Sequence, residues 1–260
     1  TAVVSGSADI GLAGPESCIY IYNQGKDDHP VIFAQLTKRD GSFLLGREAD
    51  GSFDFSKLKG KSIIAGRPGG MPYMTLLYVL RQHGLEPGSD VEVISNIQFN
   101  LMGGAFESGT GDYVTLFEPT ASAFAAQGKG HIVTNMGLES GEVPYTTFMM
   151  RKDTIENEPG FAAAFVRAIY RAQKWVWAAG DEEVAYAMQS YFPDTDIATL
   201  SAVAKSYRAT DSWTRVPTMT EDAFTRLQDI LDGAGELAAR IELSELVDNS
   251  FGEAAISEIG

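Results

Sequence analysis

Two stretches of the sequence share one pattern: residues 5–17 read SGSADIGLAGPES, and residues 108–122 read SGTGDYVTLFEPTAS. Each has a Ser-Gly pair, an aspartate, an apolar run and then a proline, and the copies align with one extra residue in the second. We interpret each copy as a helix end, a turn, a buried strand and a loop that opens another helix. The spacing of about a hundred residues is too long for a solenoid repeat and predicts two similar α/β lobes. The alternative is that Ser-Gly-x-x-Asp is generic chemistry at the start of a strand.

Short β-like runs alternate with helical runs on both sides of these stretches, which predicts βαβ units and a mostly parallel sheet. The predicted strands are residues 8–12, 31–36, 43–47, 62–65, 91–94, 113–117, 132–134 and 146–150. The predicted helices are residues 16–22, 74–83, 99–107, 120–126, 161–179, 181–191, 196–207 and 221–231. We expect Asp181, Asp196 and Thr220 to be N-caps and Gly84 to follow a helix C-terminus. No low-complexity linker separates two domains, so a second domain requires the chain to cross over and return.

The composition limits the classes of function. There are 35 acidic and 20 basic residues, and the net charge of −15 disfavours nucleic acid and anionic membranes as partners. Cys18 is the only cysteine, so no internal disulfide and no cysteine-rich metal site can form. His29, His83 and His131 are far apart and form no HxxxH pair, which argues against a zinc site. We predict no metal and no cofactor.

The loops of the doubled stretch are the first candidate contacts for a ligand. Ligands of open α/β sheets bind outside the carboxyl ends of the strands. This rule favours contacts from Gly14, Pro15 and Glu16 in the first copy and from Glu118 in the second. Two carboxylates beside a ligand favour an amine or N–H donor, so an aminopyrimidine or an amino-sulfonate fits better than nitrate. The alternative is that each acid only stabilises the first turn of the helix that it precedes.

A glycine-rich loop, GRPGGMP at residues 66–72, lies between a predicted strand and a predicted helix. A helix N-terminus offers unpaired N–H groups and partial positive charge, which suits a carboxylate, sulfonate or phosphate. We therefore predict contacts from Arg67, Gly69, Gly70 and Met71, with Arg67 able to bind an oxyanion through two N–H groups. The alternative is a tight turn that merely requires glycine.

Further candidates follow other predicted strand ends. Thr37 and Arg39 come before the first expected crossover, although a solvated turn fits Arg39 equally well. Gln98 follows another strand end. Tyr73 and Tyr145 flank expected cleft or hinge positions, where an aromatic ring could stack on a planar ligand, although such residues are more often core or rim.

Six segments of the sequence together resemble one family. They are SGSADIGLAGPE, VIFAQLTKRDGSFLLGRE, KLKGKSIIAGRPGGMPYMTLLYVLRQHGLEPG, GAFESGTGDYVTLFEP, PYTTFMMRKD and KWVWAAGDEEVA. In this order and spacing they are similar to the substrate-binding proteins of bacterial ABC importers, in the NMT1/THI5-like group that serves nitrate, sulfonates, taurine and thiamine precursors. The resemblance covers nearly the whole chain.

The resemblance implies a type II periplasmic-binding fold, which is an α/β fold of two lobes around a ligand cleft. It implies that lobe I comprises residues 1–47 and 146–260, with a helical C-terminal part, and that lobe II comprises residues 48–145. Hinges are then expected near residues 47–50 and 144–146. Members of this family usually begin with a strand, a helix and a second strand, which we expect to be missing from the chain as given.

The resemblance also implies a function. A small molecule is captured by lobe closure and delivered to a membrane permease, by a monomer at the periplasmic or extracellular face, with or without a lipid anchor. No GxSxG, HExxH or kinase motif is present, so we predict a binder and not an enzyme. Two alternatives stay open. One is an enzyme on the same fold, such as a pyrimidine synthase, although that branch carries a cysteine-rich motif that this chain lacks. The other is a solute-sensing domain.

Overall fold

The computed structural model describes all 260 residues and divides them into two compact units. Unit 1 comprises Thr1–Arg39, Glu142–Ala179 and Asp211–Gly260. Unit 2 comprises Asp40–Gly141 and Gly180–Thr210. The chain therefore crosses from one unit to the other four times.

Every predicted strand and helix is present, with ends that differ by at most three residues. The strands are β1 Gly11–Ala13, β2 Pro30–Thr37, β3 Ser42–Gly46, β4 Ser62–Ile64, β5 Glu92–Ile94, β6 Tyr113–Phe117, β7 His131–Asn135 and β8 Thr146–Arg151. The helices are α1 Glu16–Tyr22, α2 Met71–Gln82, α3 Met102–Glu107, α4 Thr120–Ala126, α5 Met136–Ser140, α6 Lys152–Asn157, α7 Pro159–Ala178, α8 Asp181–Met188, α9 Ile197–Ala209, α10 Glu221–Gly233, α11 Leu243–Leu246 and α12 Ser250–Ile259. Short 3-10 helices span Phe55–Leu58, Phe99–Leu101 and Gln189–Tyr191. The sequence did not predict α5, α6, α11 and α12.

The sheet of unit 1 has the order β1-β8-β2, and both of its pairings are antiparallel. The prediction of a mostly parallel sheet is wrong for this unit. β1 and β2 do run in the same direction, but β8 lies between them and runs in the opposite one. Strands that are buried on both faces read as continuous apolar runs, and such runs carry no information about strand direction.

One apolar face of the unit 1 sheet packs against the long helix α7 and against α12. Phe33 of β2 and Phe148 of β8 both contact Phe165 of α7, at ring-centroid distances of 5.8 and 4.9 Å. Val166, one residue further along α7, is fully buried in the same cluster. Burial of each such side chain contributes roughly 1.5–3 kcal/mol, so packing on the sheet is what holds α7 in place.

The sheet of unit 2 has the order β5-β4-β6-β3-β7. β4 pairs in parallel with both β5 and β6, whereas β3 pairs antiparallel with both β6 and β7. The prediction of parallel strands is therefore confirmed for β5-β4-β6 and is wrong for β3.

Both faces of the unit 2 sheet are covered. Leu44 and Ile63 belong to a core cluster that includes side chains of α2. Their neighbours Leu45 and Ile64 belong to a second cluster, which includes Phe106 of α3. Successive residues of a strand point to opposite faces, so each of these dipeptides serves both layers.

Helix ends follow the predictions with one exception. Asp196 accepts a hydrogen bond from the Thr199 N–H at 2.7 Å, and Thr220 accepts one from the Ala223 N–H at 3.3 Å, as N-caps do. Gly84 follows α2 with a φ of +74°. Asp181 is not an N-cap, because Gly180 occupies that position and Asp181 is the first helical residue. The Asp181 carboxylate instead forms an ion pair with Arg208 of α9.

The structure divides the chain differently from the predicted lobes. Residues 40–47 belong to unit 2, because β3 is hydrogen-bonded between β6 and β7. Helices α8 and α9 also belong to unit 2, because they pack on each other and α9 packs on α4. The first crossover, at Arg39–Asp40, lies before the predicted hinge near residues 47–50, whereas the second, at Gly141–Glu142, lies close to the predicted hinge near residues 144–146. No helix combines the length and the apolar composition needed to cross a membrane.

Candidate functional site

The predicted contact residues of unit 2 lie at one edge of its sheet. β5, β4 and β6 are parallel neighbours, so their carboxyl ends meet at the same edge. Gln98 follows β5, the loop of residues 66–70 and the start of α2 follow β4, and Glu118 follows β6. This edge is where an open α/β sheet offers a ligand site. We call it the unit 2 edge.

The glycine-rich loop ends in the N-terminus of α2, as predicted. Gly70 is the N-cap residue, and its carbonyl oxygen accepts hydrogen bonds from the N–H groups of Tyr73 and Met74, both at 3.1 Å. Gly69 has a φ of +74°, a conformation that favours glycine. The Arg67 side chain is exposed. The loop thus presents a guanidinium beside the start of a twelve-residue helix, which is an arrangement that can bind an anion.

Glu118 has the role that the alternative interpretation proposed for it. Its carboxylate oxygens accept hydrogen bonds from the Ser122 N–H at 2.9 Å and from the Ser122 hydroxyl at 2.8 Å. The side chain therefore caps the first turn of α4. A carboxylate has about four acceptor positions, so two remain for a ligand. Contact between Glu118 and a ligand stays a prediction.

Tyr207 of α9 supports this loop, although no pattern in the sequence indicates such a role. Its hydroxyl accepts a hydrogen bond from the Glu118 N–H and donates one to the Gly41 carbonyl oxygen, each at 3.2 Å. Its ring also packs near Phe43, at 6.4 Å between centroids. Burial, above all, raises the pKa of Tyr207, so the hydroxyl keeps its proton.

A pocket of about 340 Å³ opens beside Glu118 and Phe99, the residue that follows Gln98. Its walls include Phe99, Phe117 and Phe124, and the rings of Phe99 and Phe117 lie 5.6 Å apart at 48°. Phe99 is 61% exposed although it is a large apolar side chain. We call this cavity the phenylalanine pocket.

The predicted contact residues of unit 1 also gather at one edge of a sheet. Ala13 of β1 and Gln35 of β2 both lie opposite Thr147 of β8. Residues 14–16, which follow β1, and residues 37–39, which end β2 and follow it, therefore leave the sheet at the same edge. Tyr145 lies directly before β8, at this edge too. We call it the unit 1 edge.

The first loop of the doubled stretch is tightly built. Pro15 precedes α1 and is buried, and Glu16 is the first residue of that helix. A Cβ atom at Gly14 would lie 2.0 Å from a Glu16 carboxylate oxygen, so any larger residue at this position would force the Glu16 side chain to move. Burial, with a further contribution from the charge of Glu16, raises the pKa of the Cys18 thiol to about 12. The Cys18 thiol therefore remains protonated and unreactive.

Thr37 and Tyr145 are hydrogen-bonded neighbours. The Tyr145 N–H donates to the Thr37 carbonyl oxygen at 3.1 Å, and the Thr37 hydroxyl lies 2.6 Å from the Thr146 hydroxyl. Between Thr37 and the half-buried Arg39, the ammonium group of Lys38 lies 2.6 Å from the Asp211 carboxylate and 3.7 Å from that of Glu142. Lys38 therefore links the three segments of the chain that make up unit 1.

A second, smaller pocket of about 160 Å³ adjoins Thr37 and is lined mainly by apolar side chains such as Ile169 and Trp213. The Gln173 amide nitrogen beside it donates to the Gln35 carbonyl oxygen at 2.9 Å and to the Thr214 hydroxyl at 2.6 Å. No group of three or more His, Cys, Asp or Glu side chains is arranged to hold a metal ion.

Each unit thus collects its own predicted contact residues at one strand-end edge, and the sequence matches known proteins across both. Residues 2–190 match the NMT1-like family. The chain belongs to the NMT1-like family. YtlA of Bacillus subtilis (strain 168), which is named as a binding protein, is 42% identical over 258 residues, covering 99% of this chain and 77% of YtlA. The predicted family is confirmed.

Solved structures of binding proteins share the fold of this NMT1-like chain. The alkanesulfonate-binding protein SsuA of Xanthomonas axonopodis pv. citri, bound to MOPS, superposes with a TM-score of 0.74 at 18% identity, covering 95% of this chain and 83% of SsuA. The periplasmic nitrate-binding protein NrtA of Synechocystis PCC 6803 gives a TM-score of 0.71 at 18% identity, covering 98% of this chain and 75% of NrtA. These matches confirm the predicted periplasmic-binding fold.

The same fold also occurs in an enzyme. The desulfurization enzyme DszB superposes with a TM-score of 0.68 at 14% identity, covering 96% of this chain and 86% of DszB. The fold of an NMT1-like chain therefore does not by itself separate a binder from an enzyme.

Proposed function

We propose that the protein is the solute-binding component of a bacterial ABC importer. It captures a small organic compound or oxyanion outside the cytoplasmic membrane, acts as a monomer, and delivers its ligand to a membrane permease. The observation that carries the proposal is the 42% identity to the binding protein YtlA over almost the whole chain.

The proposed contacts on unit 2 are Arg67, Gly69, Gly70, Met71, Tyr73, Gln98 and Glu118. The support for them is that all follow parallel neighbouring strands at the unit 2 edge. Arg67 and the start of α2 suit an anionic group, whereas Glu118 suits an N–H donor.

The proposed contacts on unit 1 are Gly14, Pro15, Glu16, Thr37, Arg39 and Tyr145, which gather at the unit 1 edge. We propose that capture moves one unit against the other about the crossovers, and that the ligand shifts the population toward the state that binds it better. A decrease in the radius of gyration on ligand addition, measured by X-ray scattering, would support this movement.

Three ligand classes remain candidates. They are sulfonates, including taurine; nitrate; and thiamine-related pyrimidines. SsuA and NrtA, by their names, bind alkanesulfonates and nitrate. A thermal-shift screen of these compounds, with bicarbonate and riboflavin-like compounds added, tests the proposal because a bound ligand raises the melting temperature by mass action. Each hit is then incubated with the protein and analysed for conversion. Catalytic conversion of a hit would show that the protein is an enzyme and would contradict the proposal.

A further inference from the structure

The phenylalanine pocket has the wall chemistry of a site for a flat ring. Phe99, Phe117 and Phe124 all line it, and Phe99 remains 61% exposed. Aromatic rings pair at centroid distances of about 4.5–7 Å, so a ring that enters the pocket can pack on Phe99 and cover it.

The position of the pocket wall is fixed by a glycine pair in α3. A Cβ atom at Gly103 would lie 2.9 Å from Cζ of Phe124, so the Phe124 ring packs directly on the backbone there. A Cβ atom at Gly104, in contrast, would meet no atom within 4 Å. Gly104 lines the pocket, and a side chain at this position would enter open space rather than meet a neighbouring atom.

The charge of the pocket disfavours an anion. Its lining contains one acidic residue, Glu118, and no lysine, arginine or histidine. Lys129 lies outside the lining, 5.7 Å from the centroid of the Phe124 ring, and pairs with Glu107 at 3.0 Å. Nitrate or a sulfonate group placed there would lose its water without gaining a cationic partner, which is costly. An ammonium or N–H donor would instead lie near Glu118, whose carboxylate has acceptor positions beyond the two that Ser122 uses.

Together these features identify the part of the ligand that unit 2 recognises. We propose that the phenylalanine pocket binds the ring of a neutral or positively charged aromatic compound that carries N–H donors, with the ring on Phe99 and the donors toward Glu118. This inference rests on the proposed solute-binding function and narrows its ligand class.

Three probes separate the contributions of ring and charge. Benzylamine has both a ring and an ammonium group, benzenesulfonate has a ring of the opposite charge, and butylamine has the ammonium group without a ring. We expect benzylamine to show saturation-transfer NMR signals and a calorimetric affinity at least tenfold higher than that of either other probe.

Two variants place the binding in the pocket. Gly104→Leu fills the open space and should weaken benzylamine binding at least tenfold, while leucine stabilises a helix better than glycine. Gly160→Leu in α7 is the matched control, because Gly160 is also helical and a Cβ atom there would also meet no atom within 4 Å. Phe99→Ala should weaken binding about three- to tenfold through loss of the ring contact.

The outcomes distinguish this inference from the proposed function. If taurine, an alkylsulfonate or nitrate binds and Gly104→Leu leaves its affinity unchanged, while benzylamine does not bind, the solute-binding function stands and the ring pocket is refuted. Equal affinity for benzenesulfonate and benzylamine would refute the charge preference. Absence of binding by every probe and every screened solute would refute both proposals.

Discussion

The hydroxyl oxygen of Tyr207 lies 3.2 Å from the Glu118 nitrogen and 3.2 Å from the Gly41 carbonyl oxygen. One side chain of α9 thus ties the loop after β6 to the turn before β3. Tyr207→Phe removes both hydrogen bonds and should lower the free energy of unfolding by about 1 kcal/mol. Urea denaturation measures this change. Tyr191→Phe, at a tyrosine that is 81% exposed, is the control and should have no effect.

The Lys38 side chain, 17% exposed, pairs with both Asp211 and Glu142 beside the crossovers. Lys38→Met should cost about 1–2 kcal/mol of unfolding free energy, between the values typical of exposed and buried ion pairs. Lys59→Met breaks the pair with Asp90, in which the lysine is 72% exposed, and should cost less than about 0.5 kcal/mol. Equal losses in the two variants would show that Lys38 has no special role.

Asp112, in the second copy of the doubled stretch, holds β4 in place. Its carboxylate accepts hydrogen bonds from the Ser62 N–H and from the Ser62 hydroxyl, both at 2.9 Å. The backbone hydrogen bond is the main reason that the pKa of Asp112 is lowered. A carboxyl group whose pKa is lower in the folded than in the unfolded state stabilises the protein at pH values above its unfolded pKa of about 3.9. This stability is lost as the pH falls through the folded pKa.

Asp112→Asn should therefore be less stable than the wild type at neutral pH, and the difference should shrink in acid. Urea denaturation at several pH values measures it. Asp9→Asn, at the exposed aspartate of the first copy, is the control. A difference that stays constant with pH would contradict the role of the Asp112 charge.

Arg67→Ala should weaken binding of an anionic ligand by more than about tenfold, because Arg67 is the cation beside the start of α2. Calorimetry with any anionic hit measures the loss. Arg81→Ala is the control, since Arg81 lies in the last turn of the same helix and pairs with Glu86. An unchanged affinity in Arg67→Ala would exclude this contact.

Glu118→Gln separates ligand binding from helix capping. Loss of the charge should weaken an amine-bearing ligand specifically, because the amide can still accept one hydrogen bond from Ser122. Calorimetry compares the amine with a neutral analogue of the same shape. An equal loss for both compounds would mean that Glu118 acts only through the first turn of α4.

The sequence predicted the positions of strands and helices well because apolar periodicity and helix caps are local. Thr220 and Asp196 are examples, since each caps a helix through a bond to a residue three positions later. The direction of β8 and the place of β3 were not predictable in this way. Both strands are buried apolar runs, and such a run reads the same beside a parallel or an antiparallel neighbour.

The candidate site was predictable where it follows strand ends, as with Arg67 and Glu118. Tyr207 was not, because it lies 89 positions from Glu118 in a helix that the sequence placed in the other half of the protein. No local pattern distinguishes a tyrosine that supports a loop from one that fills a core. The capping role of Glu118, in contrast, was visible from its place before a helix.

The four crossovers set the order in which the protein can mature. Unit 2 is incomplete until Thr210 has been synthesised, because α8 and α9 come after a long excursion into unit 1, and unit 1 is incomplete until Gly260. Neither unit can therefore complete its fold while only the first part of the chain has left the ribosome. A single proteolytic cut between Ala179 and Gly180 would also leave three covalent connections intact, so the halves would not separate.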